Sequence, residues 1–360
     1  MKFFQTKPSA QFRVYAIIDK RLLGTEATKN AYLSTFFNFA QNIYATGRYQ
    51  PCGLELFHDP AIIPQAMKNA RDKGANFALL ILMQKSVPAY SIFKDLADRT
   101  YGMHSLCITE KPNYRNRELN KDLRGYFGNV MMKANLKAGG INHTVDGIAD
   151  ILKDTLVLGA DVTHPGQSAL LGTPSIAAIV GSVDKTGGKF LGSMRLQPRE
   201  SVEMINDVES MVLERIDDWS KSNGGALPKN IIYYRDGVSD GQFVQVKNSE
   251  LPQIKQAYAK AAAKRHLKTA GVRLTAITVM KRHNVRLYPQ RQDADPDNGN
   301  CQPGTIVDSV ITSPFYFDFY LQSHRGLKGT AKPTHYFVLV NEMNLSERNL
   351  QSFVSHVSRY

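Results

Sequence analysis

Apolar runs of strand length alternate with helical spacing of apolar positions over the first 140 residues. Strands are predicted at QFRVYAIID (11–19), ANFALLILM (75–83) and HSLCIT (104–109). Helices are predicted around Tyr32, Phe36, Phe39 and Ile43, in VPAYSIFKDLADRT with Pro88 near its first turn, and through Leu123, Phe127, Val130 and Ala134 to Gly139. This alternation indicates a small α/β domain with a largely parallel sheet.

The second half of the chain begins with three strand-like runs that suit an antiparallel meander, TLVLGAD, PSIAAIVGSVD and KFLGSMRLQ. An amphipathic helix is predicted from Ser201, with Met204, Val208, Met211, Val212 and Trp219 on its apolar face. Later elements are predicted as a strand in NIIYYRD, a helix in LPQIKQAYAKAAAKR, and strands in VRLTAITVMKRH and HYFVLVNEM. The boundary between the two halves is predicted near residues 139–150.

Three acidic residues stand where strands or helices begin and end. Asp161 and Asp236 each close a strand-like run, and Glu203 is predicted at the start of the amphipathic helix. Taken singly, each suits an ordinary turn or helix-start residue. Taken together, they would form a carboxylate site for Mg²⁺, a cation that prefers oxygen ligands. Two such ions about 4 Å apart could activate water for phosphodiester cleavage.

Composition narrows the choice of partner. At 360 residues two domains are expected, and 42% hydrophobic residues support packed structure. The formal charge of +13 favours a polyanionic partner such as nucleic acid. A basic surface that only aids solubility is the alternative.

Other signals exclude several classes of protein. Cys52, Cys107 and Cys301 lack zinc-site spacing and disulfide density, which favours a reducing compartment. The run FALLILM is too short to span a membrane, so a soluble, intracellular protein is expected. We further expect it to be a cytoplasmic monomer. DADPDNG (293–299) resembles the start of a calcium loop but has Asn298 and Gly304 at the required Gly and Glu positions. A solvated, mobile acidic loop is predicted there.

Two pairs of residues in the first half of the chain could form a binding site for an anion. Tyr90 and Lys94 are four apart at a helix start, as are Lys133 and Lys137 on another helix. The helix start after Pro88 is expected to offer unpaired N–H groups to a phosphate. The competing interpretation is two solvated lysines favoured by the dipole of a helix C-terminus, with Tyr90 as an ordinary surface or core aromatic.

Several ordered motifs closely resemble those of one family. GADVTHP, YYRDGVSDGQF, VMKRHNVRL, KANLKAGGINH and FDFYLQSHRGLKGTAKPTHYFVL resemble the MID and PIWI domains of eukaryotic Argonaute proteins, in particular of a fungal member. The resemblance implies an α/β fold with a small Rossmann-like MID domain (1–140) followed by an RNase H-like PIWI domain (141–360). It also implies that the chain corresponds to a lobe of a longer protein.

The resemblance further implies a function in RNA silencing. A small guide RNA would be held by its 5′-phosphate through Tyr90, Lys94, Lys133 and Lys137. A complementary target RNA would be cleaved with Mg²⁺ or Mn²⁺ by Asp161, Glu203 and Asp236, of which Asp161 and Asp236 are the metal-binding aspartates. The phosphate backbone of the guide would be contacted by Lys281, Arg282, His283 and Arg286. Without the resemblance, the same residues would suit an ordinary solvated basic loop. Trp-containing partner proteins are permitted by the resemblance alone.

The chain also departs from the family pattern. Glu200 competes with Glu203 for the glutamate position, and Leu106 stands where a phosphate-binding Gln is expected. The family's fourth metal ligand, an Asp or His, follows the last helix, whereas this sequence stops at Tyr360. His335 and His356 are not nominated for that role, so the 360-residue chain itself is expected to cleave weakly or not at all.

Two other functions remain open at this stage. The first is a guide-binding silencing scaffold without cleavage activity. The second is an RNase H-like DNA nuclease or transposase. The three carboxylates disfavour a pure scaffold, and the Tyr90 and lysine group disfavours the transposase.

Overall fold

A computed structural model describes residues 5–7, 10–22, 33–34, 36–109, 122–144, 147–166, 169, 172–197, 203–268, 271–326 and 329–358, with only the helical backbone described at 122–124. Residue contacts divide the chain into two compact units, 1–143 and 144–360. Each unit is α/β, so the predicted fold class is confirmed. Tyr32 and Glu200 lie outside the described residues.

The first unit is built on a four-stranded parallel sheet in the order β2-β1-β3-β4. The strands are β1 (Gln11–Asp19), β2 (Arg48–Phe57), β3 (Phe77–Leu82) and β4 (His104–Thr109). The α-helices are α1 (Ile63–Asp72), α2 (Val87–Asp95) and α3 (Asp122–Lys137). Shorter helical turns are Lys20–Leu22, Pro60–Ile62, the π-helix Asn38–Ile43 and the π-helix Leu96–Thr100.

Both faces of this sheet are buried, which explains the continuous apolar run of β3. Phe77 and Leu79 pack with α3, whereas Ala78 and Leu80 pack with α1 and α2. The sequence prediction missed β2 and α1. Strand β2 contains Pro51 and Gly53, two residue types that argue against a strand in a sequence pattern. Its register with β1 shifts at that point.

The second unit contains an eight-stranded mixed sheet in the order β10-β11-β12-β9-β8-β5-β6-β7. Its strands are β5 (Thr155–Thr163), β6 (Ile176–Ser182), β7 (Phe190–Leu196), β8 (Asn230–Asp236), β9 (Arg273–Met280), β10 (Thr305–Val307), β11 (Asp318–Gln322) and β12 (Thr334–Asn341). Its helices are α4 (Ala149–Leu152), α5 (Val208–Ser222), α6 (Leu251–Lys264) and α7 (Glu347–Val357), with short turns at Asp240–Gln242, Phe243–Gln245 and Val246–Glu250.

The sheet separates two apolar layers. Helices α5 and α6 cover one face, where Trp219 and Ile254 are buried, and α7 covers part of the other through Phe353. The predicted meander of β5, β6 and β7 is confirmed by antiparallel pairing. The middle of the sheet, β5-β8-β9, is parallel, so the carboxyl ends of these strands meet at one edge.

Two details of the second unit correct the sequence analysis. Helix α5 begins at Val208, capped by Asp207, and not at Ser201, so Glu203 lies in a non-helical segment before it. The acidic loop is not wholly solvated, because Asp295 is 7% exposed and pairs with both Nε and Nη2 of Arg325. Strands β10 and β11 were also missed by the pattern analysis.

Within the described ranges, every helix is too short or too polar to span a bilayer. The three cysteines carry free thiols.

Candidate functional site

The two aspartates lie side by side at the edge where parallel strands end. Strand β5 pairs with β8 through Ala160 and Arg235, and Asp161 and Asp236 are the next residue on each strand. Residues in register on parallel strands point to the same face of a sheet. Both side chains line one cavity of about 830 Å³.

Glu203 joins them from the segment that precedes α5. It lines the same cavity, and Gly237 lies between it and Asp161. A Cβ atom built on Gly237 would stand 3.4 Å from Asp161 Oδ1 and 3.5 Å from Glu203 Oε2. Gly237 also has a φ of +89°, a left-handed conformation that glycine adopts without strain. The fold therefore brings all three predicted carboxylates together.

Glu203 is held at both its side chain and its backbone. Its Oε1 lies 2.8 Å from His164 Nε2, and His164 Nδ1 lies 2.8 Å from Ser175 Oγ. The guanidinium of Arg235 donates to the carbonyl oxygen of Glu203. Within the described structure, Glu203 Oε2 is buried and has no hydrogen-bond partner. That oxygen can accept a cation or a hydrogen-bond donor.

Arg235 is anchored in turn by a buried ion pair. Its Nε lies 3.0 Å from Glu250 Oε2, and both side chains are fully buried. Tyr233 donates to Glu250 Oε2 at 2.7 Å, and the backbone N–H of Ile205 donates to Oε1 at 3.0 Å. The network fixes the segment that carries Glu203 against β8 and the start of α6.

Asp236 is neutralised by a cation from the neighbouring strand. Lys281 Nζ lies 2.8 Å from Asp236 Oδ2, and the lysine side chain is 62% exposed. Among the described residues, no group of three or more His, Cys, Asp or Glu is already arranged around a common metal position. The donor set nevertheless fits a hard divalent cation, because Asp161 Oδ1 and Glu203 Oε2 both lie beside Gly237 and Glu203 Oε2 is unpaired.

The basic segment after β9 reaches this cavity in part. Lys281, Arg282 and His283 line it, whereas Arg286 donates to the carbonyl oxygens of Val285 and His283. Burial lowers the pKa of His283, and its Nε2 lies 2.9 Å from the carbonyl oxygen of Pro333. Burial therefore disfavours the charged form of His283.

His335 lies on the cavity wall, a position that the sequence did not indicate. Its Nε2 is 2.6 Å from Asp318 Oδ2, and its ring stacks on Tyr320 with centroids 4.3 Å apart. His356 lies on α7, as predicted. Sequence reasoning also missed His164, Arg235 and Glu250. Arg235 was detectable, because a charge inside the apolar run NIIYYRD requires a buried partner.

In the first unit, three lysines share one neighbourhood. Lys94 Nζ lies 2.6 Å from Ser105 Oγ and 3.6 Å from Asp98 Oδ2. Burial lowers the pKa of Lys137, and the charges of Lys94 and Lys133 lower it further. Such mutual repulsion would be relieved by a shared anion.

The other parts of this candidate phosphate site differ in detail from the expectation. Tyr90 is 47% exposed, one helical turn before Lys94. Two amide groups at the start of α2 already donate hydrogen bonds within the protein. The Ala89 N–H donates to Ser86 Oγ, and the Tyr90 N–H donates to the Ser86 carbonyl oxygen. Leu106 is buried in the core and offers no polar group.

Comparison with known proteins identifies the family. The pattern of the Piwi domain matches residues 77–359. Argonaute-2 of Drosophila melanogaster is 37% identical over 362 residues, covering 98% of this chain. The structure of Kluyveromyces polysporus Argonaute with a guide RNA superimposes with a TM-score of 0.84 at 29% identity, covering 99% of this chain and 44% of that one. The MID-PIWI domains of Neurospora crassa QDE-2 superimpose with a TM-score of 0.60 at 27% identity, covering 77% of this chain and 76% of that one.

The curated relatives are much longer than this chain, which spans 28% of the length of the fly protein. The match nevertheless runs over both units. The first unit has the Rossmann-like topology and the second the RNase H-like topology of the MID-PIWI structures.

Proposed function

This chain belongs to the Piwi-domain family that includes the Argonaute proteins, and on that premise we propose that it binds a small guide RNA and directs cleavage of complementary RNA. The guide would be held by its 5′-phosphate in the first unit. The target phosphodiester would be cut at the acidic cavity of the second unit.

The convergence of Asp161, Glu203 and Asp236 carries this proposal. A binding scaffold gains nothing from three carboxylates beside a polyanion, because they repel its phosphates. Their presence in one cavity is explained by a divalent cation that reverses the local charge.

Asp161 and Asp236 would hold Mg²⁺ or Mn²⁺, with Glu203 completing the oxygen ligands. When bound, such a cation supplies positive charge that stabilises the phosphodiester during displacement by water. His164 and Arg235 keep the Glu203 carboxylate at the cavity wall. Lys281 and Arg282 present cationic groups to the RNA backbone on the same wall.

The guide end would bind where Lys94, Lys133 and Lys137 meet. Each lysine offers a charge-assisted hydrogen bond to a terminal phosphate, and the half-exposed Tyr90 ring offers a stacking surface for the first base. These contacts recognise a chemical end and carry no sequence information, which the guide supplies by base pairing.

Metal binding tests the acidic cavity. Mn²⁺ titration followed by electron paramagnetic resonance should show binding by the wild-type chain and at least tenfold weaker binding by Asp161→Asn. Asp240→Asn is the matched control, because it removes a carboxylate from the same cavity and should change affinity less than twofold. Equal affinity in the wild type and Asp161→Asn would refute the proposed metal site.

Competition between 5′-phosphorylated and 5′-hydroxyl RNA tests the guide site. The phosphorylated RNA should bind at least tenfold more tightly, and Lys133→Gln should abolish most of that preference. Lys68→Gln, an exposed lysine on α1 of the same unit, should preserve it. Equal binding of the two RNAs by the wild-type chain would exclude 5′-phosphate anchoring.

A guide-binding scaffold without cleavage is the second candidate, and the pairing of Asp236 with Lys281 favours it. It predicts a 5′-phosphate preference together with no Mn²⁺ binding at Asp161. The two experiments therefore separate the candidates.

A further inference from the structure

The loop between β10 and β11 exposes two aromatic side chains to solvent. Phe315 is 87% exposed and Tyr316 is 65% exposed. We call these two residues the aromatic shelf. Large aromatic groups gain free energy by burial, so adjacent exposed rings mark a surface that a ligand can cover.

The shelf is held in a defined position. Ser313 Oγ accepts hydrogen bonds from the backbone N–H groups of Phe315 and Tyr316, both at 3.2 Å. The Ser313 N–H donates to Asp318 Oδ1 at 2.8 Å, and Asp318 Oδ2 lies 2.6 Å from His335 Nε2. The loop is thus tied to a residue on the wall of the acidic cavity.

A second cavity, of about 580 Å³, lies between the shelf and the acidic cavity. Tyr316 lines it, and the Tyr316 ring lies 5.5 Å from the ring of Phe337. The two cavities share three lining residues, Asp240, Tyr320 and His335. A nucleic-acid strand that crosses the acidic cavity can continue through the second cavity to the aromatic shelf. We call this path the route.

One cationic side chain lies along the route beyond the carboxylate site. Lys247 lines the second cavity and is exposed. Asp318, the most buried acidic group there, lies 2.6 Å from His335 Nε2, and Asp240 also lines the cavity. Stacking surfaces next to cationic groups are typical of sites for single-stranded nucleic acid.

We propose that the aromatic shelf stacks on an unpaired base of the target RNA where that strand leaves the acidic cavity, an inference that rests on the proposed function. The shelf binds any of the four bases through their faces and reads no sequence. An RNA strand is favoured over an apolar protein segment because the route continues from a phosphodiester-cleaving site and carries Lys247.

The test compares two targets bound to the guide-loaded chain. Both pair fully with the guide, and each carries a four-nucleotide unpaired extension at either end, with normal bases in one target and abasic residues in the other. The wild type should bind the base-bearing target about 5- to 100-fold more tightly, as expected for one stacked base. Phe315→Ala with Tyr316→Ala should bind both targets equally.

Three controls make the result decisive. Phe315→Ala alone removes an 87% exposed ring and cannot disturb the core, so it should lose part of the preference even if the double variant folds poorly. Phe315→Tyr should retain it. Val244→Ala, a 68% exposed aliphatic residue lining the same cavity, should leave it unchanged.

Two results would overturn the proposal. Equal affinity of the wild type for base-bearing and abasic extensions would show that the shelf does not stack on RNA and would point to a protein ligand. Failure of the guide-loaded chain to bind even a fully paired target without extensions would refute the proposed function, and the shelf proposal would fall with it.

Discussion

Glu203 illustrates how single side chains are positioned for chemistry. His164 contacts one carboxylate oxygen and Arg235 contacts the carbonyl, while the second carboxylate oxygen stays unpaired and buried. An unpaired buried carboxylate oxygen is costly, so the arrangement is stabilised when a cation or donor enters the cavity.

Removal of the His164 ring should loosen this carboxylate. His164→Ala is expected to weaken Mn²⁺ binding about tenfold, because the hydrogen bond that orients Glu203 is lost. His164→Asn retains a donor and should recover part of the affinity. Unchanged Mn²⁺ affinity in His164→Ala, measured by calorimetry, would show that Glu203 does not contribute to metal binding.

Lys281 should compete with the metal for Asp236. Lys281→Met keeps the apolar stem but removes the ammonium group, so Mn²⁺ affinity is expected to rise by up to about fivefold, the value of a partly exposed ion pair. Lys255→Met breaks the Lys255–Glu342 pair away from the cavity and is the control. A fall in affinity would mean that Lys281 instead helps to hold the site together.

At the scale of elements, local patterns predicted most strands and the meander of β5, β6 and β7, but not the full strand order of either sheet. The position of Asp161 and Asp236 at one edge of the sheet was predictable from the apolar runs before them, although β5 continues past Asp161 to Thr163. The start of α5 was not, since Glu203 and Met204 continue an apparent helical pattern while the Arg235–Glu250 network holds that segment in another conformation. Such tertiary contacts override local propensity.

The buried Arg235–Glu250 pair should dominate the stability of its segment. Glu250→Ala is expected to lower the free energy of unfolding of the second unit by about 3–5 kcal/mol, because it leaves a buried guanidinium unpaired. Lys229→Ala, which breaks the exposed pair with Asp154, should cost less than about 1 kcal/mol. Urea unfolding followed by Trp219 fluorescence measures both, and similar losses would contradict the assignment.

The acidic loop should respond to pH through Asp295. Its hydrogen bonds with Arg325 lower the pKa of Asp295 to about 2, below the ordinary value of about 4. The pair therefore stabilises the fold fully above pH 4 and loses that contribution as the pH falls towards 2. The difference in Tm between wild type and Asp295→Asn should shrink between pH 5 and pH 3, and a difference independent of pH would exclude this pairing.

For the whole molecule, charge favours a class of partner but does not locate the sites. The formal charge of +13 favours a polyanionic partner, whereas many lysines, such as Lys229 and Lys260, form ion pairs with acidic neighbours. The folded arrangement distinguishes these from the cluster at Lys94, Lys133 and Lys137, where the charges of Lys94 and Lys133 lower the pKa of Lys137 and Asp98 lies 3.6 Å from Lys94.

Salt dependence should separate the two sets of lysines. We expect replacement of Lys94, Lys133 and Lys137 by Gln to weaken the salt dependence of binding to 5′-phosphorylated RNA. The slope of the logarithm of the association constant against the logarithm of the salt concentration should fall in magnitude by about 2, because each lost contact to a single strand contributes about 0.7. The same replacement at Lys229, Lys255 and Lys260 should leave the slope unchanged. Fluorescence anisotropy measures both, and equal slopes for the two triple variants would argue against the cluster.

Gly237 restricts how this protein can be redesigned. A methyl group there would occupy the space between two acidic side chains, and its backbone conformation would add about 1–2 kcal/mol of strain for any chiral residue. Libraries that vary the loop after β8 to retune the chemistry should therefore leave codon 237 fixed and diversify its neighbours.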